Sequence, residues 1–290
     1  MCRANIEIAR HIRISLEKVF AMNTTKRLIA VPTLAAAALF GSPAIAQGND
    51  DDSYIQISTG VDYSSGDYGD VEDTDLLAIP VSVKYQTGNF YLRASTAWVD
   101  VEGPSGFIPG DGGANPGGGN GGGAEPAEIV SRSGVGDVNL TAGYSFLVGS
   151  NTFFDAVGKV KLPTASESKF LGTGSTDFTA QGELLHVVGD VSFSLIGGRR
   201  FNGSSDLFDL EDVWLAGGGV YYSADQVMLG LDYEWREGSV AGAPERSEAT
   251  ASLTYKLNDN LRLQGYGYTG LSDGSPDLGG GLQVLLRLGS

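Results

Sequence analysis

Downstream of Asp52 the chain alternates apolar and polar residues one by one, in stretch after stretch about ten residues long. Period two marks a strand whose two faces meet different surroundings. In 226–236, Val227, Leu229, Leu231, Tyr233 and Trp235 share one face, while Gln226, Met228, Asp232, Glu234 and Arg236 share the other. In 245–257, Ala249, Ala251, Leu253, Tyr255 and Leu257 oppose Glu248, Thr250, Ser252, Thr254 and Lys256. Twelve such strands are expected: 53–63, 76–86, 89–101, 134–147, 151–162, 175–187, 190–200, 212–223, 226–236, 245–257, 260–270 and 277–288. A strand tilted across a bilayer needs about 9–11 residues, which is this length. Charges recur on the polar face, so these are not the strands of a dry sandwich.

The connections sort by length. Gln86-Thr87-Gly88-Asn89, Val148-Gly149-Ser150, Val188-Gly189-Asp190, Ser223-Ala224-Asp225 and Asn258-Asp259-Asn260 suit tight hairpins. Between them lie the longer polar segments 64–75, 102–133, 163–174, 201–211, 237–244 and 271–276. With a periplasmic start, every long loop falls outside and every short turn inside. An antiparallel up-and-down barrel closed across a Gram-negative outer membrane has this sidedness, because lipid tolerates no open sheet edge.

The first 46 residues read as an export leader. Met22–Arg27 is a short basic region, Leu28–Phe40 an apolar one, and Ala44-Ile45-Ala46 a small-residue cleavage site before Gln47. The segment 22–46 is thus expected to be a cleaved signal peptide, 1–21 an upstream extension with a mis-assigned start, and 47–290 a single barrel domain. Cys2 is the only cysteine and leaves with the leader, so neither a disulfide nor a lipid-bearing cysteine is expected. The chain has 19 Lys and Arg against 35 Asp and Glu, a formal net charge of −16. The leader holds Arg3, Arg10, Arg13, Lys18, Lys26 and Arg27 against two glutamates, so its loss deepens the imbalance. Nucleic acid is excluded as a partner on that ground.

Segment 103–133 is dominated by glycine and punctuated by Pro104, Pro109, Pro116 and Pro126, so it is expected to be a flexible external loop. The alternative is a loop folded inward to constrict a pore, with Phe107 and Ile108 as its apolar hook. A phosphate cradle does not fit, since neither a strand-to-helix context nor a Lys-Ser/Thr signature is present.

Catalysis has little to stand on. His186 shares a face with Phe178, Ala180, Gly182 and Leu184, the lipid side, and no serine nucleophile can be paired with it. The acidic runs Asp50-Asp51-Asp52 and Asp67, Asp70, Glu72, Asp73, Asp75 lack the spacing of a calcium loop. No enzyme, cofactor or metal is expected; the acidic ends instead share divalent ions with lipopolysaccharide.

The inward face carries Lys84, Arg93, Lys159, Lys161, Arg236, Lys256, Arg262 and Arg287 with Asp137, Asp155, Glu183, Asp232, Glu234 and Glu248. Such charges must be hydrated or paired, so they either line a wet channel or plug it. The pore-lining candidates are Lys84, Arg93, Lys159, Asp232, Glu234, Arg236, Lys256 and Arg262. Tyr54, Tyr91 and Tyr266 share that face and offer rings for an aromatic solute. Tyr63, Tyr85, Phe90, Trp98, Tyr144, Phe146, Phe154, Tyr221, Tyr233, Trp235 and Tyr255 are expected in the aromatic girdles at the membrane interfaces. Glycines 217–219 and 279–281 mark places of bending or close approach.

Three short motifs carry a family resemblance. Gly134-Val135-Gly136-Asp137, Lys161-Leu162-Pro163-Thr164 and Gly172-Thr173-Gly174-Ser175-Thr176-Asp177 resemble elements of the phenol meta-pathway outer-membrane proteins, a transporter-like family. The likeness covers about 133–200. It implies an outer-membrane barrel, inserted by the barrel assembly machinery and surrounded by lipid and lipopolysaccharide, that passes small hydrophobic or aromatic compounds. The expected function is passive uptake of a small-molecule solute through a charged lumen. The alternative is a closed structural or adhesive barrel that binds a surface partner through its external loops. Charge reversals inside the barrel separate the two, since only a channel changes its ion selectivity.

Overall fold

The structure, a computed structural model, describes residues 53–110, 128–240 and 242–289. The expected extension and leader, the Asp50–Asp52 run and the centre of the glycine-rich segment lie outside the described residues.

Alternation becomes strand throughout. The elements are β1 (Ser53–Gly66), β2 (Thr74–Thr87), β3 (Phe90–Pro104), β4 (Ile129–Val135), β5 (Val138–Gly149), β6 (Thr152–Leu162), β7 (Asp177–Val188), β8 (Val191–Phe201), β9 (Val213–Ala224), β10 (Val227–Arg236), β11 (Arg246–Lys256), β12 (Leu261–Gly270) and β13 (Leu278–Leu288). Neighbours pair antiparallel, and β13 returns to β1 from Ile55↔Leu288 to Ser65↔Leu278. The sheet is closed.

Thirteen strands make twelve crossings, because β4 and β5 are two halves of one. β4 pairs with the outer part of β3, starting at Trp98↔Val135, and β5 pairs with its inner part, Ser95↔Asn139 to Phe90↔Tyr144. The expected strand 134–147 therefore begins earlier and breaks at Gly136-Asp137. A loop residue takes over the ladder there: Thr164 Oγ1 accepts from Val138 N at 2.9 Å and donates to Gly136 O at 3.3 Å. Gly136 N still reaches Ala97 O at 2.8 Å, so the break leaves few backbone groups unmatched.

The hairpins at one end are tight. Gly189 and Asp225 adopt positive φ, +63° and +44°, as two-residue turns between right-twisted strands require. The long connections gather at the other end. Outward residues such as Ile57, Val83, Leu140, Leu195, Leu231 and Leu282 are exposed around the whole circumference. A continuous apolar belt on a closed sheet faces lipid, and the fold is that of an outer-membrane barrel. Among the described residues no helix is long and apolar enough to cross a membrane, which says nothing about strands.

Tyr63, Tyr85, Phe90, Trp98, Tyr144, Phe146, Phe154, Tyr233 and Tyr255 lie exposed on the outer face. Tyr221 does not join them. It is 3 % exposed and turns inward, while Tyr222 beside it is 48 % exposed. Gly219 and Gly230 make room for the Tyr221 ring, whose hydroxyl donates to Asp232 and lies 3.3 Å from Ser194 Oγ.

Candidate functional site: the lumen and its outer mouth

The mouth is narrowed from the first residues after β3. A turn bonds Phe107 N to Pro104 O at 3.1 Å, and Arg132 on β4 donates to Pro104 O and Phe107 O at 3.1 and 2.6 Å. These bonds aim Phe107 into a cluster with Tyr68, Val99, Val101 and Leu171. Its ring lies 4.8 Å from that of Tyr68. Ile108 is fully buried against Phe208, with Phe170, Leu210 and Val240 around it. Arg236 then donates to Gly110 O at 2.5 Å. Residues 105–110 thus fold inward, while 111–127 of the expected external loop lie outside the described residues. Burial pushes the Tyr68 phenol up to about 12 despite the nearby Arg246, so it stays a neutral hydrogen-bonding group, 2.8 Å from Ser64 Oγ.

The sequence motifs converge beside this hook. Lys161 lies 2.6 Å from Asp177 and 3.6 Å from Asp137, and donates to Thr173 Oγ1 at 2.7 Å. Ser175 Oγ donates to Asp177 at 2.7 Å, and Ala165 N to Asp137 at 2.9 Å. Gly203 N also reaches Asp177, and Ser205 Oγ reaches Thr173 O at 2.6 Å. Three loops are therefore pinned to one buried ion-pair cluster, which presents Leu171 to the mouth. The sequence motifs marked Asp137, Lys161, Thr173, Ser175 and Asp177 but gave no sign that they meet, and Ala165, Gly203 and Ser205 lay outside them.

Below the mouth is a cavity of about 230 Å³. Leu76, Ala78, Val99, Phe107 and Leu171 form its apolar wall, and Arg93, Lys159, Tyr266 and Tyr268 lie on the others. Tyr266 and Tyr268 both donate to Asp62, at 2.9 and 3.0 Å. Gly279 and Gly281 on β13 leave the space their rings occupy. Arg246 is held by Glu248 at 2.5 Å.

Of the eight lining candidates, Arg93 and Lys159 border this cavity. Lys84 is buried close by, its Nζ 4.5 Å from the centre of the Tyr91 ring. Arg236 sits at the mouth on Gly110, Asp232 is engaged by Tyr221, and Glu234 pairs in register with Glu248. Lys256 and Arg262 lie toward the short-turn end, in a recess of about 30 Å³. The eight do not form one ring; they are spread along the lumen. Asp62, Tyr68, Tyr268, Phe107 and Leu171 belong to the site without having been singled out as lining. For Asp62 and Tyr268, alternation alone carries the signal.

Several buried polar atoms, among them Asp155 Oδ2, Glu183 Oε2 and Tyr91 OH, have no protein partner among the described residues. Groups of this kind call for hydration, as the sequence expectation of a charged lumen does. Phe153, Leu185 and Val187 form a buried apolar group near the short-turn end of β6 and β7. His186 lies on the outer wall, with Thr152 Oγ1 2.8 Å from its Nδ1. The loop aspartates Asp67 and Asp70 accept from the backbone of Gly69 and Val71, and no cluster suited to a metal ion occurs among the described residues.

No family model and no curated protein matches the chain. Among solved structures, the KdgM porin is similar at 13% identity, with a TM-score of 0.48, over 80% of this chain and 98% of its own. The translocator domain of the autotransporter NalP from Neisseria meningitidis gives 12% identity and 0.46, over 83% and 90%. The Ralstonia pickettii toluene transporter TbuX gives 10% and 0.41, over 83% and 90%. These likenesses carry no argument about a solute. The barrel assignment stands on the closed register and the outward apolar belt.

Proposed function

We propose that the protein is an outer-membrane channel through which small solutes diffuse passively, including compounds with a hydrophobic or aromatic body. The observation that carries this reading is the cavity: a solute-sized space inside a closed barrel, with an apolar and phenolic wall facing Arg93 and Lys159. Such walls suit a solute that is neither fully polar nor fully apolar. The eight lining candidates act at different depths, and the 105–110 segment sets the width of the outer opening. In this reading 22–46 is removed on export and the barrel assembly machinery inserts the chain. Lipid and lipopolysaccharide then surround the belt. The three-motif likeness to the phenol meta-pathway proteins agrees with an aromatic solute.

Single-channel recording of the full-length protein, purified from outer membranes and reconstituted in a planar bilayer, tests it. Discrete, reproducible conductance steps are the expected result. Silence from protein whose gel migration still shifts on heating, the mark of an intact barrel, rejects the channel.

A further inference from the structure

The register sorts the lumen charges by sign. Starting at the short-turn end of β13, Arg287 pairs with Gln56, and Gln56 with Lys84. The row continues from Lys84 to Arg93, to Thr141, to Lys159. It ends through Thr179 at Arg200, near the outer end of β8. Barrel strands tilt, so a row at right angles to them climbs as it goes round. This one runs from one side of the membrane to the other and contains no acid.

A second row climbs alongside it. Ser145 pairs with Asp155, Asp155 with Glu183, and the line passes through Ile196 and Gly217 to Glu234 and Glu248. It contains no base. On β6 the rows are separated by the four residues from Asp155 to Lys159, roughly 13 Å along the strand.

A plug would interleave the signs, as the mouth does at Lys161 with Asp137 and Asp177 and at Arg246 with Glu248. At Lys84, Arg93 and Lys159 the basic row does not. Among the described residues no carboxylate lies within 4 Å of the amino or guanidinium nitrogens of Lys84, Arg93 or Lys159. The acids that border the cavity are already engaged, Asp62 by two tyrosines and Asp137 by Lys161 and Ala165 N. The acids of the second row do not border it. The charge offered to a solute in the cavity is positive, opposite an apolar wall.

We propose that the basic row is the permeation track of this barrel and that its solutes are small organic anions, carboxylates with an apolar or aromatic body. This rests on the channel reading and names its substrate class. The carboxylate is handed along successive cations while the body slides on Leu76, Val99, Phe107 and the tyrosine rings.

Three probes of one size and different charge provide the test: benzoate, benzyl alcohol and benzylamine, with flux measured into proteoliposomes holding the full-length protein and taken as the excess over protein-free liposomes. Benzoate is expected to pass fastest and benzylamine slowest. Arg93→Glu and Lys159→Glu should each lower the benzoate-to-benzylamine ratio by at least roughly 25-fold, since one unit charge at contact distance in water is worth about fivefold, a reversal changes two, and the two probes respond in opposite directions. Arg93→Gln and Lys159→Gln should give smaller shifts of the same sign, and heat-shifted gel migration certifies that each variant is folded. Equal flux of benzoate and benzylamine, or ratios that the reversals leave unmoved, overturns the anion track while leaving the channel standing. No flux of any probe through folded protein overturns both.

Discussion

At the residue scale, the inner wall is built by pairing large side chains with glycines. A Cβ at Gly219, Gly279 or Gly281 would strike the ring of Tyr221, Tyr268 or Tyr266. The glycine runs therefore accommodate phenols laid flat on the sheet, which also lets those hydroxyls reach Asp232 and Asp62. Reading Tyr221 as a girdle residue failed because the adjacent Tyr222 sits on the opposite face, and choosing between them needs the strand's phase. Lys161 is the residue whose loss should cost most. Lys161→Met leaves Asp137 and Asp177 buried without their cation, at a cost of about 3–5 kcal/mol. A lowered urea midpoint for unfolding from lipid vesicles is the readout, and adding Asp177→Asn should restore part of it. An unchanged midpoint would show that the cluster does not hold the loops.

At the scale of elements, the segment after β3 behaves as a strap. Its fixings are Arg132 on the backbone, two buried apolar side chains, and Arg236 on Gly110. Truncating Ile108 to Ala removes packing worth about 2–5 kcal/mol, more than a short surface segment can lose and stay seated. Phe107→Ala with Ile108→Ala should therefore raise single-channel conductance while heat-shifted gel migration still reports a closed barrel, because no strand pairing is touched. Conductance equal to that of the parent would mean that the strap does not limit flow. Period two revealed each strand and its faces, since that signal is local. The break at Gly136-Asp137 was not legible, because it depends on Thr164 arriving from another loop. The strap was legible only as an alternative: Phe107 and Ile108 stand out in a glycine-rich run, but their pocket is assembled from Tyr68, Leu171 and Phe208 far away in sequence.

At the scale of the whole molecule, sidedness follows from counting connections, and the charge rows follow from closure. A single strand shows one or two inward charges. Their order round the barrel needs the register between neighbours and the shift accumulated on closing the sheet, neither of which is written in any one segment. Sidedness is testable directly. Asp206 lies in a long connection and Ser150 in a short one, both exposed, and the chain's only cysteine is Cys2. Asp206→Cys should react with a membrane-impermeant maleimide on intact cells. Ser150→Cys should react only after the outer membrane is permeabilised. The reverse pattern would invert the barrel and place Arg287 rather than Arg200 at the outer opening. The anion track would then be climbed from its other end, so the labelling fixes which cation a solute meets first.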